Sequence, residues 1–351
     1  MELTSATWQD GAALAAHPRC WADTSQTPTS VCRRDERDEL PLEGQMSILR
    51  PLLLAFGCVF GAGVPLALGQ NRLPPDAPRP IEVGDSLWAE ELTSMEIRDA
   101  IRAGTTTILI GTGGVEQNGP YVVGGKHNYV LQTVLPYIAG AIGKALIAPI
   151  VKFVPEGSIE PTTSGHMQYP GTISVESATF EALLTDICRS YRAHGFIDIV
   201  LIGDSGGNQS GMERVADTLN RRWSTERARV HYLREYYFED QWSYDFLKTL
   251  GVVQIDKTPP PGEPQERRAD WRNGIHDDVY YEAQIAVQDP KLIRMDQRIK
   301  AGLFTLHGVE LAPIGKTIEI GRRLAEYRAA ITARAFEASQ RRLRSGGPVR
   351  R

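Results

Sequence analysis

The chain has 351 residues, of which 42% are hydrophobic and 23% charged, and its formal net charge at pH 7 is −4. A length of this order is enough for one large domain or two modest ones, and the composition is that of an ordinary soluble protein. The slightly acidic balance offers no electrostatic attraction to nucleic acid or to an anionic membrane surface, so neither is expected as a partner.

The first 69 residues fall into two segments of different composition. Residues 1–45 are polar without a sustained apolar period, which predicts disorder or a mis-annotated upstream extension. Residues 46–69 start at Met46 and contain one basic residue, Arg50, an apolar run and a small-x-small sequence ending at Gly69, as in a secretory signal peptide. A membrane anchor is the alternative, but the apolar run is shorter than the ~20 residues that a spanning helix needs. We therefore expect an exported protein, periplasmic or secreted, with no stable membrane span after cleavage.

Cleavage at Gly69 would leave Cys188 as the single cysteine of the mature chain. One cysteine cannot form an internal disulfide, and the sequence has no cysteine metal motif. A lipoprotein attached through Cys58 is disfavoured because the apolar run continues well past that residue.

A proline-rich lead over residues 70–89 precedes the first regular elements of the chain. Residues 90–103 are expected to form a helix, in which Thr93 is the N-cap and Glu96, three residues later, completes a capping box. The run of β-branched and apolar residues 105–110 then predicts a buried strand.

Helices and strands alternate along the following part of the chain. This alternation predicts an α/β fold with a mostly parallel sheet. The helices are expected at 128–142, 177–194 and 212–223, and the strands at 146–153, 197–202 and 230–236.

The pattern weakens over residues 238–270, where a proline cluster predicts an exposed loop or lid. A helix is expected to begin at Val279, and a long C-terminal helix spans residues 317–344. We place the end of the globular domain at residue 335, so that the domain covers 90–335 and a solvated basic tail covers 336–351.

Polar side chains follow two of the predicted strands. Glu116, Asn118 and His127 come after the first strand in a glycine-rich loop, and Asp204 and Ser205 come after the strand at 197–202. Ligands of open α/β sheets bind beyond the carboxyl ends of the strands. Carboxylate and imidazole groups in that position are candidate metal ligands or proton carriers. Capping or loop-packing roles are the alternative for Glu116 and His127.

Four segments together resemble the creatininase (creatinine amidohydrolase) family. They are EQNGPY at 116–121, YPGTIS at 169–174, GDSGGN at 203–208 and GIHDD at 274–278. The family shows E-Q-H-G-P-H-L-P-L-G-T-D, P-G-T-I-S, N-G-H-G-G-N and H-A-G-E in the same order, and the match extends from about residue 88 to 333. The resemblance implies a three-layer α/β/α fold, a closed oligomer such as a hexamer, and hydrolysis of an amide at a two-metal centre.

The family's metal positions are only partly retained. Glu116 matches a family ligand, whereas Asn118 replaces a histidine, His127 replaces the bridging aspartate, Ser205 replaces the other histidine, and Gly207 stands where creatininase has a glutamate. A histidine cannot bridge two metals as a carboxylate does, and Asn and Ser are poor zinc ligands. These departures argue against a two-metal centre and against creatinine itself as the substrate.

A centre for one Zn²⁺ or Mn²⁺ ion remains consistent with the sequence. Glu116, His127, Asp204 and His276 supply two carboxylates and two imidazoles as ligands. His276 could instead act as the general acid/base, oriented by Asp277, with Glu116 as the third catalytic group. Four further polar residues are expected to surround the centre: Asn118, His166, Ser205 and Asn208. A loop-packing role near the site is slightly favoured for His166.

Two functions of different classes remain open. The first is an exported, metal-dependent amidohydrolase acting on a C–N bond of a small cyclic or linear amide. The second is a non-catalytic protein that binds a small molecule on a creatininase fold without metals. The substitutions at Asn118, His127 and Ser205 favour the binding protein, whereas the retained Glu116 and the gain of His and Asp nearby favour the enzyme.

Overall fold

A computed structural model describes residues 73–252 and 278–345. Its centre is a four-stranded sheet in the order β2-β1-β3-β4, and all three pairings between neighbouring strands are parallel. The strands are β1 (Thr107–Thr112), β2 (Ala145–Ile147), β3 (Asp198–Gly203) and β4 (Arg229–Tyr232).

Side chains alternate between the two faces of the sheet, as strand geometry requires. Ile108 and Ile110 of β1 belong to one buried apolar cluster, whereas Leu109 belongs to the other. Both faces are therefore covered, which explains why the strands are continuously apolar in the sequence.

Helices cover each face of the sheet and complete three layers. One face packs against α1 (Ser94–Arg102), α3 (Ser177–Ala193) and α4 (Gln209–Arg222). The other face packs against α2 (Lys126–Ile142), α7 (Val279–Gln288) and α9 (Ile314–Arg344). The predicted three-layer α/β/α fold with a mostly parallel sheet is confirmed.

The remaining elements are short. They are α5 (Glu235–Phe238), α6 (Gln241–Thr249) and α8 (Met295–Ala301), together with an antiparallel pair formed by β5 (Thr305–Leu306) and β6 (Val309–Glu310).

Helix α1 begins as the sequence predicts. The side chain of Thr93 accepts a hydrogen bond from the backbone N–H of Glu96, and the Glu96 carboxylate accepts one from the backbone N–H of Thr93. The reciprocal pair satisfies donors that the helix itself cannot reach, so the capping box is confirmed.

Two expected strand ends are wrong. The strand at 146–153 is ordered as a strand only to Ile147, because Pro149 has no N–H to donate to a ladder. The strand at 230–236 ends at Tyr232, and the chain turns into α5. Within the stretch from residue 238 where the pattern weakens, the chain forms α6, whose buried Ser243, Phe246 and Leu247 recur at helical spacing. The loop or lid expected at the proline cluster lies outside the described residues.

The C-terminal tail expected from residue 336 is also corrected over most of its length. Helix α9 continues through this boundary to Arg344, with Phe336 and Ser339 buried. Arg344 pairs with Asp198 at the start of β3, with 2.6 Å between the guanidinium nitrogen and the carboxylate oxygen. This end of the helix therefore packs on the sheet and is part of the folded domain.

Among the described residues, no helix combines the length and the apolarity that crossing a bilayer requires. The apolar run proposed as a signal peptide lies outside these residues, as do residues 1–45. Cys188 lies on α3 and is buried in the core.

Candidate active site

The candidate site lies where the connections from β1 and β3 diverge. The chain passes from β1 to β2 on one side, while β3 and β4 extend the sheet on the other, so a crevice is expected beyond the carboxyl ends of β1 and β3. Two glycines after β1 let other residues come close to the backbone at this point. A Cβ on Gly113 would lie 2.1 Å from the Asn128 side chain, and one on Gly114 would lie 2.0 Å from the Glu156 carboxylate.

A hydrogen-bonded chain of buried side chains connects the two strand ends. His127 Nε2 lies 2.9 Å from Glu116 Oε1, and His127 Nδ1 lies 2.7 Å from Asp204 Oδ2. The hydroxyl of Tyr236 donates to Asp204 Oδ1 over 2.8 Å. The imidazole of His127 is therefore held between two carboxylates, and Tyr236 holds that of Asp204 in place.

Lys126 adds a second positive charge beside Glu116. Its Nζ lies 3.2 Å from Glu116 Oε1, and its side chain is 0% exposed. The same nitrogen lies 4.2 Å from the centroid of the Tyr281 ring, a cation–π arrangement.

The second oxygen of Glu116 belongs to a different cluster. His166 Nε2 lies 3.1 Å from Glu116 Oε2. One ligand-type atom from each of Glu116, Glu156 and His166 lies within 4.8 Å of the others. Glu156 Oε1 is buried without a hydrogen-bond partner among the described residues. Glu116 therefore has one oxygen facing two cations and one oxygen facing this cluster.

The surroundings shift the pKa values of three of these groups. Burial and the Lys126 charge oppose protonation of His127, but the Glu116 charge and the hydrogen bonds to both carboxylates outweigh them and raise its pKa to about 9. Burial lowers the pKa of His166, which leaves a neutral imidazole. Burial, followed by the negative charge of Glu116, raises the pKa of Glu156 above its usual value.

The structure brings most of the predicted ligands together. Glu116, His127 and Asp204 form the hydrogen-bonded chain. The side chain of His166 contacts Glu116 directly, in addition to lying in the loop where a packing role was expected. His127 lies in the first turn of α2, which starts two residues earlier than expected. His276 and Asp277 lie outside the described residues.

The other three expected site residues are buried, and two of them brace the loops. Asn118 donates to the carbonyl oxygens of Glu116 and Val123, which closes the loop after β1. Asn208 donates to backbone oxygens at the end of β1 and so ties this strand to the turn after β3. Ser205 is buried at the head of that turn.

Sequence reasoning missed Lys126 and Glu156. Lysines are usually solvated, so nothing local distinguishes Lys126 from a surface residue except its position in the motif between Gly125 and His127. Glu156 did carry a usable signal, because it stands between Pro155 and Gly157 at the exit of a predicted strand, like Glu116.

One group among the described side chains has the chemistry to hold a divalent ion. The Glu116–Glu156–His166 cluster offers two carboxylates and a neutral imidazole, a ligand set suited to Zn²⁺ or Mn²⁺. On the other side, Lys126 and His127 contact Glu116 Oε1. Gly207 has no side chain that could bind a metal. A larger residue would not fit there without a shift, because its Cβ would lie 2.4 Å from the carbonyl oxygen of Pro155. This cluster shares Glu116 with the predicted ligand set but contains Glu156 and His166 and not His127 and Asp204.

Comparisons with known proteins identify a family for most of the described domain. Residues 90–323 match the family model described as creatininase, creatinine amidohydrolase. A creatinine amidohydrolase of Pseudomonas putida is 27% identical over 117 residues, which cover 33% of this chain and 44% of that protein, so the alignment spans less than half of the relative.

Solved structures of creatininases are also similar at low identity. A crystal structure of creatinine amidohydrolase (creatininase) is 20% identical with a TM-score of 0.48, and the alignment covers 76% of this chain and all of that one. A putative creatinine amidohydrolase from Bacteroides fragilis is 16% identical with a TM-score of 0.42, and the alignment covers 67% of this chain and 89% of that one.

Proposed function

The chain belongs to the creatininase family, and we propose that it is a metal-dependent amidohydrolase that cleaves a C–N bond of a small cyclic or linear amide. The observation that carries the proposal is the cluster of Glu116, Glu156 and His166, whose ligand atoms lie within 4.8 Å of one another. A carboxylate oxygen buried without a partner is unfavourable unless something else binds it, and Glu156 Oε1 is such an atom.

These three residues would hold one Zn²⁺ or Mn²⁺ ion at the carboxyl edge of the sheet. Such an ion, when bound, activates a water molecule and polarises the carbonyl group of an amide. Glu156 holds a proton in the metal-free site, because burial and Glu116 raise its pKa, and it must release this proton to act as a ligand.

The remaining side chains orient the site and store a proton. Tyr236 donates to Asp204, and Asp204 holds Nδ1 of His127, so that Nε2 of the imidazole points at Glu116. Because its pKa is raised to about 9, His127 carries a proton at neutral pH that is available next to Glu116. Glu116 therefore joins the proposed metal cluster to the proton-carrying chain.

The proposed substrate class is a small amide whose reacting group can reach a buried site. Glu116, Asp204 and His127 are each at most 4% exposed, so the reacting group must be small or must enter in a narrow orientation. The departures from the family motif at Asn118, His127 and Ser205 argue against creatinine itself.

A metal and activity assay on the purified full chain tests the proposal. The protein is loaded with Zn²⁺ or Mn²⁺, and amine or carboxylate release is measured over a panel of small cyclic and linear amides. We expect bound metal and turnover in the wild type, loss of both in Glu116→Ala, and weaker metal binding in Glu156→Gln. The matched control is Glu213→Gln, because Glu213 is exposed on α4.

One alternative is supported by a specific observation. Lys126 and His127 place positive charge beside Glu116 without any metal, as a site that binds a small anion or amide without hydrolysis could also require. Near-zero metal content after loading, together with calorimetric binding of a small amide but no turnover, would favour this binding protein over the hydrolase.

We also propose that the chain is exported and that it forms a homo-oligomer, with a hexamer as the assembly that the family resemblance implies. The support for export is the sequence pattern over residues 46–69, with one basic residue, an apolar run and a small-x-small end. Mass spectrometry of the mature N-terminus tests the cleavage at Gly69, and light scattering of the purified protein tests the assembly.

A further inference from the structure

We infer that Lys126 is a built-in cation that occupies the Oε1 side of Glu116, where a second metal ion would otherwise bind, and so limits the site to one divalent ion. The inference rests on the proposed function for the single ion at the Oε2 side. It assigns a role to a residue that was not among the predicted site residues.

The burial of Lys126 is the first support. Lysine is almost never fully buried unless it is paired, because its charge must leave water. Its side chain is 0% exposed, and its Nζ lies 3.2 Å from an oxygen of Glu116, whose side chain is 2% exposed. The ring of Tyr281 faces the same nitrogen, with 4.2 Å between Nζ and the ring centroid. The charge is therefore held in one place by an anion and an aromatic face.

The position of Lys126 in its helix is the second support. Lys126 and His127 form the start of α2, whose first turn contains no acidic residue and whose N-cap, Gly125, has no capping side chain. Helix N-termini carry partial positive charge and favour anions, so two basic residues at this end oppose the local preference. A departure from local preference that is compensated by specific partners is typical of functional sites. The partners are Glu116 and Asp204.

The third support is that the two carboxylate oxygens of Glu116 have different partners. Oε1 contacts Lys126 and His127, at 3.2 Å and 2.9 Å. Oε2 lies 3.1 Å from His166 Nε2, in the cluster that also contains Glu156. A metal ion from solution that approached Oε1 would have to displace these two side chains, whereas Oε2 lies on the side of the proposed ion.

Metal stoichiometry of Lys126→Glu tests the inference. This substitution replaces the ammonium beside Glu116 with a carboxylate of similar reach. The full chain and the variant are loaded with Mn²⁺, dialysed and analysed by mass spectrometry of the element. We expect about one ion per chain in the wild type and about one more in the variant, since paired carboxylates suit this ion. The matched control is Lys248→Glu on the exposed side of α6, which should leave the count unchanged.

The outcomes separate this inference from the proposed function. Two ions in the wild type would overturn the inference and leave the hydrolase standing. No ion in the wild type, with one gained in Lys126→Glu, would support the inference and remove the metal-dependent hydrolase. An equal count in wild type and variant would overturn the inference whatever that count is.

If Lys126→Glu does not fold, a second measurement on Lys126→Ala tests the same inference. Lys126→Ala leaves a cavity next to Glu116, and its thermal unfolding is followed in EDTA with added methylammonium or with methanol as the uncharged control. We expect a lower melting temperature that methylammonium raises toward the wild-type value and methanol does not. An unchanged melting temperature, or equal effects of the two additives, would show that no cation is needed there.

Discussion

Two buried histidines at opposite ends of the same sheet differ in charge because they differ in their partners. At the carboxyl end, His127 lies between Glu116 and Asp204. Toward the amino end, His231 lies between Asp198 Oδ1, 2.9 Å from its Nε2, and the hydroxyl oxygen of Ser339, 2.9 Å from its Nδ1. Both imidazoles are at most 4% exposed, so burial alone does not distinguish them.

The number of carboxylates decides the protonation state. Two carboxylates outweigh burial and raise the pKa of His127 to about 9, whereas burial outweighs the single carboxylate Asp198 and lowers the pKa of His231. The neutral His231 donates from Nε2 to Asp198 and accepts at Nδ1 from Ser339, which fastens α9 to the sheet. One cluster thus stores a proton at the candidate site, and the other holds the C-terminal helix in place.

The largest effect is expected from Glu116→Gln, which removes the anion that Lys126 and His127 share. Buried charges that lose a partner destabilise a protein by about 3–5 kcal/mol. Urea unfolding of the metal-free protein at neutral pH measures this loss. The exposed Glu213→Gln serves as the control, with an expected change within about 0.5 kcal/mol. An unfolding free energy for Glu116→Gln like that of the control would mean that the two cations do not depend on this carboxylate.

The next effect concerns His127 and alkaline pH. The folded pKa of about 9 lies above the unfolded value of 6.5, so the stabilisation is fully present below pH 6.5 and is lost as the pH rises through 9. The shift corresponds to about 3 kcal/mol. In EDTA, the unfolding free energy of the wild type should fall over this interval, and that of His127→Gln should fall less, because Glu156, whose pKa is also raised, still releases its proton there. A fall of equal size in the variant would assign the alkaline effect to another group.

His231→Gln should act at the opposite end of the pH scale. The folded pKa of His231 is lowered, so the unfolded chain takes up the proton first and stability falls as the pH drops below about 6.5. The pKa of Asp198 is also lowered: burial opposes this shift, but the hydrogen bond from His231 and the charge of Arg344 outweigh it, so acid protonates this partner as well. We expect a loss of about 1–3 kcal/mol at pH 7 and a weaker acid dependence, with unchanged metal content. Altered metal content would connect the two clusters and contradict their separate roles in proton storage and helix packing.

The smallest effect is expected far from both histidines. Thr93→Ala removes the N-cap of α1 and should lower the unfolding free energy by about 1 kcal/mol. The loss should be the same across neutral and alkaline pH, because Thr93 contacts neither imidazole cluster. Chemical denaturation at two pH values checks this, and a pH-dependent difference between variant and wild type would be the contrary result.

Much of the fold could be predicted because its signals are local. The alternation of helical and strand patterns indicated the parallel three-layer fold, and Thr93 with Glu96 indicated the start of α1. Parallel strands bring their carboxyl ends to one edge, which is why the meeting of Glu116 and Asp204 was predictable before any coordinates. The ends of β2 and β4 were not, since a strand's length depends on its neighbours in the sheet.

The composition of the site was less predictable than its place. The proximity of Glu156 and His166 to Glu116 depends on how a long loop closes over the sheet edge, and no local pattern determines that. The burial of Lys126 depends on Glu116 and Tyr281, which are distant in sequence, so composition alone indicates a solvated lysine. His276 and Asp277 lie outside the described residues, and their roles stay predictions.

Anomalous X-ray diffraction from crystals of the manganese-loaded protein tests most directly whether one ion binds beside a built-in cation. We expect a single anomalous peak per chain, bounded by Glu116 Oε2, Glu156 and His166, with Lys126 Nζ still next to Glu116 Oε1. A peak between Glu116 and Asp204, or no peak at all in fully loaded crystals, would contradict it.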